Sequence, residues 1–163
     1  MPIGYITRKE TFCAAHRLHS PALSIAENIE LYQKCNNPNS HGHNYTLFVT
    51  LRGEINPLTG MVANIAELKR IIQVHVLDLV DHKNLDLDVE YFRGKASAKD
   101  NSDSNNAGGC EDSKATPSIP STVENLCVFV WSQLQAQVNT DKYSLYKVEI
   151  RETDKNSAVY KGE

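Results

Sequence analysis

The chain has 163 residues, a formal net charge of −3, and 40% hydrophobic against 23% charged residues. That length suits one domain with a substantial core and falls short of the usual size for two. The scattered Lys and Arg residues exclude a basic field for nucleic acid or an acidic membrane, and no apolar run reaches membrane-spanning length.

The start, MPIGYITRKE, lacks the apolar core of a secretory signal, so a cytoplasmic location is expected. "YITRKETFCAAHRL" alternates, with Ile6, Phe12 and Ala14 on one face and His16 in phase at the end; it reads as strand one. "SPALSIAENIELYQKCNNPNS" reads as a loop with a short helical turn, closed by Asn- and Pro-rich turn chemistry. "NYTLFVTLRGEI" is β-branched and aromatic and reads as strand two, antiparallel to strand one. Asn64 caps a first helix, with Glu67 at the capping-box position and an apolar stripe of Ile65, Leu68, Ile71, Ile72, Val76 and Leu79. Ser121 and Glu124 form a second capping box, before a stripe of Val123, Leu126, Cys127, Val130, Leu134 and Val138. "LYKVEIRE", the turn "TDKN" and "SAVYKG" make a closing hairpin.

Between the helices, residues 93–118 are rich in Gly, Ser, Asn and Asp and carry no apolar period. Such a segment cannot bury enough surface to offset the entropy of ordering it, so a mobile insertion is expected, with Cys110 exposed inside it. The expected fold is α+β. One domain spans residues 1–163 as β-β-α-α-β-β, a four-stranded antiparallel sheet with two helices on one face. Its open edges invite pairing with other subunits.

Six histidines and four cysteines carry most of the candidate chemistry. No CxxC pair exists, and a cytosolic chain keeps its thiols reduced, so neither a thiolate zinc knuckle nor a disulfide framework is expected. His41 and His43 head strand two, and alternate strand residues share a face. With His16 on the neighbouring strand, three imidazoles could hold one metal with an open fourth position, the catalytic-zinc pattern. His19 is the alternative third ligand, and a polar turn is the plain alternative for the pair. His75 reads as half-exposed helix packing, and Cys13 and Cys127 as small core residues. Cys35, separated from the HGH by five residues, is either an inert loop thiol or a proton-transfer group. Asp81 and His82 could tune one another or simply be solvated. Glu152 could accept a pair of N–H groups from a ligand or be an exposed hairpin end.

"FCAAHRLHSPALS", "KCNNPNSHGHNY", "GEINPLTGMV", "LVDHKNLDLD", "STVEN" and "YKVEIRETDKNSAVYKGE" occur in an order that resembles the 6-pyruvoyl-tetrahydropterin synthase family. The resemblance runs nearly end to end, the insertion excepted. It implies a T-fold whose subunits close a barrel and stack as two trimers in a homohexamer, with active sites at subunit interfaces. The implied reaction converts 7,8-dihydroneopterin triphosphate to 6-pyruvoyl-tetrahydropterin with loss of triphosphate, using zinc, in tetrahydrobiopterin synthesis. The resemblance assigns zinc to His16, His41 and His43, catalysis to Cys35, Asp81 and His82, and pterin anchoring to Glu152, with Thr122 and Glu124 as further pterin contacts. Ser40, where the family pattern has glycine, and Val123, where it has threonine, depart from it. A sibling, 6-carboxy-tetrahydropterin synthase, shares the fold and zinc site, but its cysteine usually lies closer to the HGH.

Overall fold

The computed structural model describes residues 1–93 and 118–163; the expected insertion and Cys110 lie outside the described residues. Strand β1 (Ile3–His16) pairs antiparallel with β2 (His41–Glu54) over their full length, from Ile3↔Glu54 to His16↔His41. The two-residue side-chain period then sorts the faces. Phe12, Ala14 and His16 of β1 join Tyr45, Leu47, Val49 and Leu51 of β2 in the interior. Cys13 is on the opposite face and exposed, because odd positions of β1 point away from the helices. The expectation of a core thiol there is overturned, whereas Cys127 is fully buried as expected.

Between β1 and β2, helix α1 (Ile25–Tyr32) starts with a complete Ser24–Glu27 capping box. A 3-10 turn, Gln33–Asn36, comes next and carries Cys35. After β2, Asn64 caps α2 (Ile65–Ile72) by accepting from the Ala66 N–H. The helix then widens into a π segment, Gln73–Leu77, and closes in the short α3 (Asp78–Val80). A π segment adds a residue to the turn and rotates the next stretch of helix about its axis. Val80 is therefore buried, and Leu79, expected in the stripe, is 41% exposed.

The strand count also differs from four. Lys83–Asn84 forms a two-residue β3 parallel to β1 at Ala14 and Ala15. Two short helices, α4 (Leu85–Asp88) and α5 (Glu90–Arg93), come after it. Helix α6 (Val123–Val138) leads into β4 (Tyr143–Arg151) and β5 (Ser157–Tyr160). The sheet order is β3-β1-β2-β4-β5, mixed rather than purely antiparallel. Leu126, Phe129, Val130 and Leu134 of α6 join Leu68 and Ile72 of α2 and the inner sheet residues in one buried cluster. The N-cap of α6 is Thr122, accepting from the Asn125 N–H, and not Ser121. Ser121 is instead buried against His16.

Candidate functional site

The antiparallel register that sets His16 opposite His41 brings His43 to the same face two residues on. Ring centroids are 4.7 Å apart for His16–His41, 5.0 Å for His41–His43 and 5.4 Å for His16–His43. Each ring offers a nitrogen, and these nitrogens lie within 4.8 Å of one another. Between His41 and His43, Gly42 faces the other way and lies close to the neighbouring strand, where a Cβ would sit 3.2 Å from the Ala14 carbonyl oxygen. His19 does not join the cluster; its Nδ1 lies 3.1 Å from the Asn36 Nδ2.

The tautomer of His16 is set by its surroundings. A carbonyl can only accept, so the 2.8 Å contact of Nδ1 with the Ser121 carbonyl places the proton on Nδ1. That leaves the Nε2 lone pair facing the cluster, buried and without a hydrogen-bond partner among the described residues. Burial pushes the His16 pKa down to about 4. Burial, then the neighbouring His43, also lowers that of His41, whose Nδ1 is likewise buried and unpartnered. Neutral, oriented imidazoles with buried free nitrogens are the form in which histidine binds metals, and the donor set fits a metal ion.

Glu152, just beyond β4, is half-buried against this cluster. Its Oε1 lies 3.6 Å from His16 Nε2 and 3.7 Å from His43 Nε2. It is therefore not merely an exposed hairpin end. Glu152 also lines a cavity of about 510 Å³ with Leu18, Thr122, Glu124 and Lys155. Glu124 is exposed on its rim, while the Thr122 hydroxyl oxygen accepts the Asn125 N–H at the helix cap and keeps its O–H to donate. A second cavity, of about 380 Å³, surrounds Met1, Glu54 and Met61 at the opposite end of the sheet and contains none of the histidines.

Tyr45 continues the alternation beneath the site, its ring 5.6 Å from His43. Burial first, then the charge of Glu152, raises its hydroxyl far above the ordinary value, so the proton stays on. Among the described residues the buried hydroxyl has the Glu152 carboxylate beside it but makes no hydrogen bond of good geometry.

Cys35 is half-buried, and a tight network ties it to the strand that carries His16. Its carbonyl accepts from the Leu18 N–H at 2.9 Å. The neighbouring Asn36 donates from Nδ2 to the Leu18 carbonyl at 2.7 Å and accepts from the Arg17 guanidinium at Oδ1 and at its carbonyl. Asp86, 4% exposed, accepts the Arg17 N–H at 2.6 Å. The chain just after His16 is thus clamped from two sides. Asn36, Asp86 and Ser121 carry no sequence signal for these roles, because every partner is distant along the chain. Tyr45 could have been found by extending the His41–His43 alternation one step.

Asp81 and His82 do form a pair, with Oδ1 and Nδ1 3.0 Å apart. Asp81 Oδ1 also accepts the Cys13 N–H at 2.9 Å, which with His82 holds the carboxyl below its ordinary range. His82 adopts a left-handed φ of 59°, and its N–H donates to the Cys13 carbonyl. Its side chain is 82% exposed, and the hydrogen bonds of the pair run to the edge of β1, not to the histidine cluster. Ser40 holds a left-handed φ of 65°, where a glycine would be unstrained, and its hydroxyl accepts from Asn84 Nδ2 at 3.3 Å.

The chain matches the family model described as 6-pyruvoyl tetrahydropterin synthase over residues 5–163. A Drosophila melanogaster 6-pyruvoyl tetrahydrobiopterin synthase is 45% identical over 161 residues, covering 99% of this chain and 81% of the relative. The Homo sapiens protein of that name is 43% identical over 158 residues, covering 97% and 91%. The solved structure of Caenorhabditis elegans 6-pyruvoyl tetrahydropterin synthase superposes with a TM-score of 0.81 at 44% identity, covering 100% of this chain and 98% of that one. With its histidine cluster and sheet register in place, the chain belongs to the 6-pyruvoyl tetrahydropterin synthase family.

Proposed function

We propose that this protein is a zinc-dependent lyase that converts 7,8-dihydroneopterin triphosphate to 6-pyruvoyl-tetrahydropterin and triphosphate. The observation that carries the reading is the cluster of His16, His41 and His43 opening beside a cavity bordered by Glu152, Thr122 and Glu124. Three imidazoles with a free fourth position is the donor set of catalytic zinc. Bound there, zinc supplies Lewis acidity to the side-chain oxygens of the substrate and makes the adjoining C–H protons removable.

The chain's own groups handle binding and protons. Cys35 takes a proton from the side chain, and the Asp81–His82 pair manages the second transfer. Glu152 accepts pterin N–H groups, with Thr122 and Glu124 as further contacts. The electrons stay within the substrate. Two side-chain alcohols become ketones and give up four hydrogens: the ring takes two, the terminal carbon takes one in place of triphosphate and becomes a methyl group, and the departing triphosphate carries the last as a proton, so no redox cofactor is needed.

The exposure of His82 at the edge of β1 supports assembly in which one copy's Asp81–His82 pair meets another copy's cluster. A homohexamer built as two trimers, each closing a barrel, supplies such an arrangement and covers the open sheet edges. The site of action in this reading is the cytosol, where a catalytic Cys35 stays a reduced thiol.

Incubation of the full chain with 7,8-dihydroneopterin triphosphate tests the reading. Triphosphate should appear, and the pterin should keep every side-chain carbon. Stoichiometric acetaldehyde would identify the carboxy sibling's reaction instead, and absence of turnover with metal loaded would leave a binding module.

A further inference from the structure

The carboxylate of Glu152 occupies an unusual position. Its Oε1 stands 3.6 Å from His16 Nε2 and 3.7 Å from His43 Nε2. In a tetrahedral site with metal–ligand bonds of roughly 2.0–2.1 Å, neighbouring ligand atoms lie about 3.3 Å apart. Oε1 therefore stands within a few tenths of an ångström of a ligand's separation from two of the three imidazoles. The tautomer of His16 sharpens the point. Its Nδ1 proton is committed to the Ser121 carbonyl, so Nε2 turns a lone pair, not a proton, toward the carboxylate. Two electron-rich atoms so disposed need a cation between them.

We propose that Glu152 is a displaceable fourth ligand of the metal. It closes the coordination shell in the substrate-free enzyme and leaves it when a pterin enters the cavity. The inference rests on the reading that the histidine cluster holds a metal and that the cavity takes a pterin.

Charge and connectivity favour this. A dication on three neutral imidazoles leaves a double positive charge in a half-buried site; one carboxylate halves it. Glu152 lies beyond the last ladder pair of β4, its backbone N–H bonded to Asn156 across an exposed turn. Its side chain also borders the open cavity, so it can turn from the metal to a ligand without breaking the sheet. The arrangement adds selectivity. A molecule that offers the metal oxygens and also offers N–H donors to the freed carboxylate compensates for displacing it. A simple diol offers only the first.

Cobalt(II) loading of the full chain tests the idea through visible d–d absorption, which reports coordination directly. Wild type, Glu152→Gln and His43→Ala are compared with and without 7,8-dihydroneopterin, and metal affinity is measured by chelator competition. Glu152→Gln should bind cobalt with about 10–100-fold lower affinity and an altered spectrum. Dihydroneopterin should change the wild-type spectrum, and the variant's much less. Unchanged spectrum and affinity in Glu152→Gln, with His43→Ala unable to hold cobalt, would overturn the inference alone. Cobalt held equally by wild type and His43→Ala would overturn the metal reading and the inference together.

Discussion

Acid should destabilise the metal-free protein through His16, and the effect can be sized. Its pKa falls to about 4 in the folded chain, first through burial. The ordinary imidazole value is 6.5, so between these limits the unfolded chain binds the extra proton and the folded chain does not. Stability is therefore full above about pH 6.5 and declines as the pH falls toward 4. The linkage amounts to about 2 kcal/mol by pH 5 and about 3 kcal/mol by pH 4, as order-of-magnitude figures. His41 and His19 are lowered too and add in the same direction. The lowered carboxyls of Asp81, Glu149 and Glu27 add in the same direction only as the pH falls into the ordinary carboxylate range of about 4, where the unfolded chain takes up their protons first, so the slope from pH 7 to 5 belongs to the imidazoles. Urea unfolding of chelator-treated protein at pH 7, 6 and 5 measures the slope. His16→Gln keeps a donor for the Ser121 carbonyl but cannot take up a proton, so the slope should drop by the His16 share. An unchanged slope in His16→Gln would refute the assignment of a buried, neutral His16.

The site sets three further outcomes. His43→Ala should lose stoichiometric metal, measured by elemental analysis of the purified chain, because two imidazoles cannot hold what three do. Cys35→Ala should keep its metal and fold yet lose about a hundredfold or more in kcat, read from triphosphate release, as removal of a proton-transfer group requires. Asn36→Ala removes the clamp between the Cys35 turn and the Arg17–His19 segment. It should cost about 1–3 kcal/mol in urea unfolding and change the alkylation rate of Cys35 while metal content holds.

Features set by local periodicity are legible in the chain alone. The i, i+2 spacing of His41 and His43 means one face only because a strand repeats every two residues. The Asn64 cap, the α6 stripe and the closing hairpin are likewise written in neighbouring residues. Tertiary structure decided what depends on distant partners. The two-residue β3 exists because His82 and Lys83 meet β1 at Cys13 and Ala14. The π segment shifts burial from Leu79 to Val80, a phase change that the apolar pattern did not announce. Ser121 meets His16 across 105 positions, and Glu152 reaches the cluster because β4 registers on β2 through an irregularity at Thr50 and Leu51. Short-range steric and hydrogen-bonding preferences act within a few residues and can be read along the chain. The orientation of an imidazole, or the approach of a carboxylate to it, is set only when packing closes the sheet over its helices.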